Sequence, residues 1–372
     1  MKIPPFDPKE LELQTFEPFP GYKISNFSYP LSQPEHERLV FQRTPWWQAT
    51  QATDATMFVP DVIPDNIARA LIMEGGMPRQ FADHEINPDM FGVEWEYIAT
   101  VGGSMVRPGK AFLEDIEEWY DKVEFPDIEK WDWAGSAAKN NGTYLSENTF
   151  AQIWFQTGFF ERLISLLEFE NAAVAIIDED SQEHVHKFFD KLTDLYIRIF
   201  DKVIKTYAAP NGESYIKAVF FHDDWGSQKS PFFSPDVCEE MVVPYMKRLT
   251  EFLHSKGVFC ELHSCGNNYL QIPNMIKAGW DAWAPQLMND SYKIYDDYGD
   301  KLLIATFPQD VPSAEELGKL SEDEIRQAAR DYANRTCKAG KSSFYNYYAA
   351  SYIQIPAFKE ELYKQSRINY SK

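Results

Sequence analysis

The sequence has few basic residues, few cysteines and no long apolar run. Its 36 Lys and Arg stand against 57 Asp and Glu, which gives a formal net charge of −21 over 372 residues. A chain of this charge lacks the basic surface that phosphate backbones require, so we expect no nucleic-acid binding. No apolar stretch approaches the roughly 18 residues of a membrane-spanning helix, so we expect no membrane span.

Cysteines and targeting signals point to a reducing compartment. The four cysteines, at 238, 260, 265 and 337, are too few for a disulfide framework in a chain of this length. The first residues, MKIPPFDPKELELQ, contain no apolar core of a secretory signal. We therefore expect a cytoplasmic protein whose reduced thiols are available to a metal.

Strand–helix alternation is the main structural signal in the second half of the chain. From about residue 150 onward, short apolar runs such as KAVFFHDD (217–224) and VFCELHSCG (258–266) alternate at least five times with helical patterns. Crossovers of this length join parallel strands, and eight such units close into a barrel. The predicted fold class is therefore α/β, a (β/α)8 TIM barrel. A doubly wound open sheet is the alternative, but the sequence lacks its Gly-rich phosphate loop.

The domain prediction is a single barrel domain over residues 1–372. Residues 1–34 are rich in Pro and Phe and predict an irregular N-terminal arm. Residues 60–140 are rich in loop signals and predict a loop and hairpin insertion over one end of the domain, with Gly102 and Gly103 in the tight turn.

Polar residues at the ends of the predicted strands are the candidates for a site, because active sites of such folds lie at the carboxyl ends of the strands. Four strand ends qualify. They are His222-Asp223-Asp224-Trp225, His263-Ser264-Cys265, Pro285-Gln286 and the segment 345–348.

The second of these strand ends carries a candidate metal site. Side chains alternate along a strand, so Glu261, His263 and Cys265 share one face. An imidazole and a thiolate two residues apart can both reach one ion, and zinc accepts this mixture of ligands. A packed strand end with a buried thiol and a hydrogen-bonded imidazole explains the same spacing.

The two consecutive acids at the first strand end are candidate catalytic residues. Asp223 and Asp224 are costly to bury unless they are paired or used, and they point to opposite faces. One of them is expected to face a cavity while the other fixes a loop, although Asp224 capping a turn is an open alternative. Gln286, at the next strand end, is placed to hydrogen-bond a substrate or approach the metal, or to satisfy a loop backbone.

Two segments resemble a known family. FFHDDWGSQKSPFF (220–233) and LHSCGNNYLQIPNMIKAGWDAWAPQ (262–286), in this order and at this spacing, resemble the uroporphyrinogen decarboxylase superfamily over roughly residues 36–350. The resemblance implies a (β/α)8 barrel and one of two activities. One branch decarboxylates uroporphyrinogen III without a cofactor. The other comprises corrinoid-dependent methyltransferases that hold zinc on a His-x-Cys pair.

The segment after Arg43-Thr44-Pro45-Trp46-Trp47 separates the branches. The decarboxylases continue with an arginine-rich signature that holds the carboxylates of the substrate, whereas here the chain reads QATQATDATMF. The resemblance therefore implies a methyltransferase that moves a methyl group from a small methylated substrate to a Co(I) corrinoid carried by a partner protein. The segment GVEWEYIATVGGSMVRPG is most similar to O-demethylase methyltransferases, such as those for veratrol and vanillate, so the expected donor is an aromatic methyl ether. A decarboxylase of tetrapyrrole carboxylates is the alternative.

The resemblance also implies roles for the candidate residues. His263 and Cys265 match the zinc-binding pair. Several relatives take their third ligand from a cysteine after the last strand, where this chain reads FYNYYAASY, so Glu261, Gln286 or an acid of 222–224 would complete the site. Asp223 or Asp224 would orient or protonate the leaving group. The expected substrate contacts are Trp46, Trp47, His222, Tyr345, Tyr347 and Tyr348. A barrel that binds a corrinoid or porphyrin without turnover is a third class, which would not need these polar strand ends.

Overall fold

The structure is a computed structural model that describes residues 3–19, 21–50, 54–109 and 111–372. The predicted arm and insertion include Pro20 and Lys110, which lie outside the described residues. The chain divides into two compact units. Unit 1 comprises Met1–Thr56, Asn148–Phe150 and Asp281–Lys372, and unit 2 comprises Met57–Glu147 and Ala151–Trp280.

Unit 1 begins with a hairpin rather than with the irregular arm that the sequence predicts. After a 3-10 turn at Pro8–Leu11, strands β1 (Leu13–Phe19) and β2 (Tyr22–Phe27) pair antiparallel, followed by helix α1 (Gln33–Phe41). Ser32 starts α1 with a capping box, since its hydroxyl accepts from the amide of Glu35 while the Glu35 carboxylate returns to the Ser32 amide. The prolines of this segment disfavoured a strand prediction, but a two-stranded ribbon tolerates proline.

The first part of unit 2 is the predicted insertion. It consists of short elements around an antiparallel sheet in the order β6-β7-β8. The elements are β3 (Thr56–Phe58), α2 (Pro64–Ala68), β4 (Met73–Glu74), β5 (Met77–Pro78), β6 (Ile86–Pro88), β7 (Glu94–Ile98), β8 (Gly103–Val106), α3 (Trp119–Lys122) and α4 (Trp133–Asn140), with 3-10 turns at Ile116–Glu118 and Ile128–Lys130. The β7–β8 hairpin turns at Gly102, whose φ of +72° is one that glycine adopts without strain, as the Gly-Gly pair predicts.

The second part of unit 2 is a parallel repeat of strands and helices. Strand β10 pairs in parallel with β9 on one side and with β11 on the other. The elements are β9 (Ala151–Phe155), α5 (Phe159–Ala175), α6 (Glu179–Thr206), β10 (Ile216–His222), α7 (Pro235–Met241), α8 (Val243–Ser255), β11 (Phe259–Ser264), a 3-10 turn (Tyr269–Gln271) and α9 (Ile272–Lys277). The sequence predicts one helix over 234–257. It divides after Met241, where Pro244 enters the first turn of α8 without a backbone N–H to donate.

The remainder of unit 1 continues the same alternation. Strand β13 pairs in parallel with β12 and with β14. The elements are β12 (Ala282–Pro285), α10 (Ser291–Tyr298), β13 (Leu303–Thr306), α11 (Ala314–Leu317), α12 (Glu322–Thr336), β14 (Ser343–Tyr345), a 3-10 turn (Tyr347–Ala349), α13 (Ala350–Ile353) and α14 (Pro356–Tyr370).

These repeats confirm the predicted fold class, α/β with parallel strands joined through helices, as in a TIM barrel. The parallel strands of both units are mostly apolar and almost continuously buried, which is typical of parallel sheets covered by helices. Among the described residues, no helix combines the length and the apolar character needed to cross a bilayer. The single domain over 1–372 stays a prediction.

Candidate metal and substrate site

Strands β10 and β11 bring two histidines to the same level. In their parallel pairing His222 lies opposite His263. Residues paired across parallel strands point to the same face, and the two ring centroids are 5.1 Å apart. Asp224 and Cys265 each follow two residues later and therefore extend the same face beyond the strand ends.

His222, Asp224, His263 and Cys265 form a compact group in unit 2, which we call the four-residue cluster. Each offers one ligand atom, and these atoms all lie within 4.8 Å of one another. The Cys265 Sγ lies 3.5 Å from the His263 Nε2, and the His222 Nε2 lies 3.6 Å from the Asp224 Oδ1. Two imidazoles, a thiol and a carboxylate at this separation are a donor set that suits zinc.

The loops after β10 and β11 fix Asp224 and Cys265 against each other. The amide of Cys265 donates to the Asp224 Oδ1 at 2.6 Å. Gly266 follows with φ +92°, and a Cβ there would lie 2.2 Å from the backbone of Gly226. Only glycine therefore lets the two loops approach closely enough to join the ends of the two strands into one site.

A carboxylate from α5 orients the His222 ring. The His222 Nδ1 lies 2.6 Å from the Glu161 Oε2, and the Arg69 Nη1 donates to the other carboxylate oxygen at 2.7 Å. A carboxylate at this distance favours a proton on Nδ1, and the Nε2 faces the four-residue cluster. A carboxylate behind a histidine is the usual outer partner of a metal-ligating imidazole.

Burial and neighbouring charges set the protonation of this group. Burial pushes the pKa of Asp224 upward, but His222, His263 and the Cys265 amide outweigh it and lower the pKa. Burial pulls the pKa of His222 down, but Glu161 and Asp224 outweigh it and raise the pKa. Burial and the Asp224 charge raise the pKa of the Cys265 thiol far above its ordinary value. In these surroundings Cys265 needs a cation beside it to ionise near neutral pH.

Asp223, the other predicted catalytic acid, points to the opposite face and caps α5. Its carboxylate accepts from the amides of Phe160 (3.3 Å) and Glu161 (2.9 Å) and from the Trp225 indole at 2.9 Å. The side chain has no exposed surface, and burial followed by the Glu161 charge raises its pKa to about 7. The structure therefore assigns Asp223 to the start of α5, which is the helix that supplies Glu161.

Glu261, predicted as a third metal ligand, is not a member of the four-residue cluster. It is buried, and its Oε2 accepts from the Gln152 Nε2 at 2.6 Å. Glu261 does share a face with His263, but it lies two residues earlier, roughly 6–7 Å further from the strand end. Among the alternatives for the third ligand, Asp224 is the acid of 222–224 whose carboxylate lies within the four-residue cluster, and the ligand role of Glu261 stays a prediction.

An open cavity of about 500 Å³ in unit 2 reaches Asp224 and Glu161. Its remaining lining is mainly aromatic and apolar, with Arg69 and Arg107 as its basic residues. These further residues are Trp95, Ser104, Met105, Val106, Pro108, Ile164, Glu168, Phe169, Gly226 and Phe232. The Arg69 guanidinium lies 4.9 Å from the Trp95 ring centroid, so the β7–β8 hairpin of the insertion forms a wall of this cavity.

Three aromatic residues predicted to contact substrate are packed in the interior of unit 1. Trp46 and Trp47 are 7% and 2% exposed, and Tyr345 is 1% exposed. The Trp47 ring stacks on His36 at a centroid distance of 3.5 Å, and the Tyr345 hydroxyl donates to the Ala349 carbonyl at 3.1 Å. These contacts make Trp47 and Tyr345 core residues of unit 1. Trp46 packs in the same core cluster as Trp47 and also lines a separate cavity of unit 1.

The other predicted residues of unit 1 lie at its strand ends. Gln286 follows β12, is half-buried, and accepts the Asn289 amide on its backbone carbonyl at 3.0 Å. Tyr347 and Tyr348 follow β14 with ring centroids 4.2 Å apart, and Tyr348 is 39% exposed. Their predicted roles stay predictions.

Sequence reasoning missed Glu161, Arg69 and Trp95. Glu161 comes shortly after β9, whose end was not among the four polar strand ends recognised in the sequence. Arg69 and Trp95 belong to the insertion, where no strand–helix rule applies. Each is a single residue in a segment without a metal-binding or catalytic motif, so spacing carried no signal for them.

Comparison with known proteins places the chain in a family. A family model described as uroporphyrinogen decarboxylase (URO-D) matches residues 80–303, which is more than half of the chain. No curated protein sequence matches the chain at a significant level.

Solved structures support the fold. A methyltransferase from Methanosarcina mazei aligns with a TM-score of 0.52 at 11% identity, over 91% of this chain and 98% of that one. The IOLI protein with a binding zinc atom aligns with a TM-score of 0.24 at 9% identity, over 66% and 83% of the two chains. Dispersin B aligns with a TM-score of 0.22 at 10% identity, over 70% and 83%. The last two scores are too low to indicate a common fold. With its parallel strand–helix repeats and its match to the family model, the chain belongs to the uroporphyrinogen decarboxylase family.

Proposed function

We propose that this protein is a methyltransferase that moves a methyl group from a small methylated substrate to a Co(I) corrinoid held by a partner protein. The observation that carries the proposal is the four-residue cluster beside the cavity of unit 2. The fold shared with the Methanosarcina mazei methyltransferase is in keeping with it. The family match spans parts of both units, which supports a single domain over 1–372 that includes the 60–140 insertion.

The residues present fit a zinc ion. His222, His263 and Cys265 supply nitrogen and sulfur, and Asp224 supplies oxygen, from ligand atoms that all lie within 4.8 Å of one another. Glu161 already stands behind His222 at 2.6 Å, as the outer partner of a ligating imidazole does. The half-buried Cys265 thiol, whose pKa is raised by burial and by the Asp224 charge, gains its own charge near neutral pH when a cation lies beside it.

A zinc ion held by these four residues would supply Lewis acidity, which would make the oxygen of a bound methyl ether a better leaving group. The chain's own residues do the positioning. Glu161 keeps the proton on the His222 Nδ1, and Arg69 keeps Glu161 in place. The lowered pKa of Asp224 makes it an acceptor that orients rather than an acid that donates a proton. The aromatic walls exclude water while the partner protein is docked.

The proposed methyl donor is an aromatic methyl ether. The cavity has the volume of a small-molecule site, and Trp95, Phe169 and Phe232 give it flat apolar walls. These three rings replace Trp46, Trp47 and Tyr345 as the proposed contacts of the aromatic ring of the substrate. A phenolate formed on methyl loss would leave next to Arg69 and Arg107, whose positive charges favour it.

A tetrapyrrole decarboxylase is the alternative that the family name suggests. Such an activity requires cations for several carboxylates, and the segment after Trp47 has no arginine. The cavity of unit 2 offers Arg69, which is paired with Glu161, and Arg107, which lies 2.9 Å from Glu94. Because both cations are already paired with carboxylates of the protein, the cavity favours a substrate with few carboxylates.

The test combines zinc content with methyl transfer. Purified protein is assayed for zinc and for methylation of Co(I) cobalamin, read by the cobalt absorbance, with a series of methoxylated aromatics and simple methyl donors. We expect one zinc per chain, and loss of both zinc and activity in His263→Ala and Cys265→Ala. Cys238→Ala is the matched control, because this buried thiol lies on α7 outside the four-residue cluster. Full methyl-transfer rates in both cluster variants would refute the zinc proposal, and CO2 release from uroporphyrinogen would favour the decarboxylase.

A further inference from the structure

A second cavity, in unit 1, is lined by a cluster of basic residues in an otherwise acidic protein. It has a volume of about 630 Å³, within the usual range of small-molecule sites. Its basic lining residues are Arg38, Arg43, Lys338 and Lys341, and its acidic one is Glu35. The formal net charge of the whole chain is −21, so this concentration of positive charge runs against the average of the surface.

The contacts of these cations leave most of their charge uncompensated. The Arg43 Nη1 donates to the Asp300 carbonyl at 2.8 Å, and the Lys341 Nζ donates to the Tyr295 carbonyl at 3.3 Å. Carbonyl oxygens carry no net charge. The Lys338 Nζ lies 3.5 Å from the Asp296 carboxylate, which Arg335 already contacts at 2.6 Å. The cavity therefore keeps an excess of positive charge.

The acidic residue of the cavity, Glu35, already accepts two hydrogen bonds from Ser32. The Glu35 Oε2 accepts from the Ser32 amide at 3.1 Å and from the Ser32 hydroxyl at 2.7 Å. These contacts cap α1 and direct the carboxylate toward the start of the helix rather than toward the cations. An incoming anion consequently meets Arg38, Arg43 and Lys341 together with Lys338, which already shares the Asp296 carboxylate with Arg335.

The backbone of Arg43 is strained at the edge of this cavity. Its φ is +61°, in the left-handed region that favours glycine, where it ends the turn after α1 with its amide donating to the Val40 carbonyl at 2.9 Å. Glycine would relieve the strain, but it would remove the guanidinium. Strain held at a charged side chain in a cavity is typical of a functional position.

The rest of the cavity is apolar. Leu31, Leu39, Pro45, Trp46 and Tyr370 are among its lining residues. A lining with cations on one part and apolar groups on another matches a ligand that has an anionic head and an apolar body. Inorganic ions would leave the apolar part unfilled.

We propose that the unit 1 cavity binds a small organic anion, a carboxylate or phosphate ester with an aromatic or aliphatic body. The head contacts Arg38, Arg43 and Lys341, and the body packs on Leu39 and Trp46. None of these residues belongs to the four-residue cluster, so the proposal is independent of the methyl-transfer function.

The test is calorimetric titration of the full-length protein with phenyl phosphate, benzoate and benzyl alcohol. We expect saturable binding of one molecule for at least one of the two anions, and none for the alcohol, which has the same ring without the charge. The double variant Arg38→Gln/Lys341→Gln should weaken anion binding at least about tenfold, since each lost charge-assisted contact has an effect of that order. The control Lys187→Gln/Lys247→Gln changes the net charge equally on exposed helices of unit 2 and should bind as the original chain does.

A second variant separates binding from folding. Arg43→Gly removes a cation and relieves the positive φ, so it should melt no lower than the original chain while binding the anion more weakly. Three outcomes would overturn the proposal. They are no saturation by either anion up to about 10 mM, equal affinities in the two double variants, or equal binding of benzyl alcohol and the anions.

Discussion

Two histidines with little exposed surface, one in each unit, show how the same side chain acquires opposite properties. In unit 1 the His36 Nε2 accepts from the amides of Trp46 (3.2 Å) and Trp47 (3.3 Å), and its ring stacks on the Trp47 ring. Burial and the Arg367 charge hold the pKa of His36 well below its ordinary value. A neutral imidazole that accepts two backbone bonds is a structural element.

In unit 2 the surroundings of His222 are acidic instead. Glu161 lies 2.6 Å from its Nδ1 and Asp224 lies 3.6 Å from its Nε2. Burial pulls the pKa of His222 down, but the two carboxylates outweigh it and raise the pKa. The ring is also 5.1 Å from His263. Burial alone therefore does not distinguish a structural histidine from a histidine of a site. The groups that face the two ring nitrogens make that distinction.

The contrast between His222 and His36 is tested most directly by replacing each of the two imidazole rings. We expect His222→Ala to lower zinc affinity by more than about 100-fold, since it removes a metal ligand rather than an outer partner. Competition with a chromophoric chelator measures the affinity. His84→Ala, whose side chain is 67% exposed in the same unit, is the control and should leave the affinity unchanged. Equal affinities in the two variants would exclude His222 as a ligand.

Removing the other ring should affect folding instead. His36→Ala leaves the buried amides of Trp46 and Trp47 without their acceptor, which we expect to cost roughly 2–4 kcal/mol of unfolding free energy. Urea denaturation measures this loss, and the zinc content of the folded variant should stay at the original value. A loss below about 0.5 kcal/mol, the usual range of surface substitutions, would contradict the structural role.

Replacing the carboxylate behind His222 should lower zinc affinity less than removing the His222 ring does. Glu161→Gln keeps the size of the side chain but removes the charge behind His222, so zinc affinity should fall by about 10- to 100-fold. Glu170→Gln makes the same charge change at an exposed position of the same helix and should have no effect. If both variants bind zinc equally, Glu161 does not support the ring of His222.

The smallest effect is the pH dependence of unit 1. The pKa of His36 is depressed in the folded protein, whereas the unfolded chain titrates near 6.5. Below that pH the unfolded state binds a proton that the folded state does not, so stability falls with falling pH by roughly 1 kcal/mol per unit. The difference in unfolding free energy between pH 7.5 and 5.5 should shrink by that contribution in His36→Gln. An unchanged pH profile in this variant would show that His36 titrates alike in both states.

Much of the fold was predictable because its signals are local. The alternation of apolar runs and helical patterns after residue 150 predicted the parallel strands and helices. The helix predicted over 234–257 begins where the Ser234 side chain accepts from the Val237 amide. The errors are also local in origin. Prolines hid the β1–β2 hairpin, and Pro244 divides a helix that apolar periodicity predicted as continuous.

The site was predictable only in part. Strand alternation placed His263 and Cys265 on one face, and the structure brings their ligand atoms to 3.5 Å. The same rule suggested Glu261, because alternation defines the face and not the height along the strand. Trp46, Trp47 and Tyr345 were attributed to substrate since aromatic residues suit both cores and cavities, and only the packing of unit 1 distinguishes these uses.

The sequence by itself determined the α/β class, the acidic net charge, and a His-x-Cys pair at a strand end. All three follow from composition or from residues a few positions apart. Only the tertiary structure decided that His222 and Asp224 join that pair, that Asp223 turns away to cap α5, and that Glu161 and Arg69 stand behind them. The register of β10 against β11 aligns residues 41 positions apart. That register is the outcome of packing the whole parallel repeat, so no local pattern could have specified it.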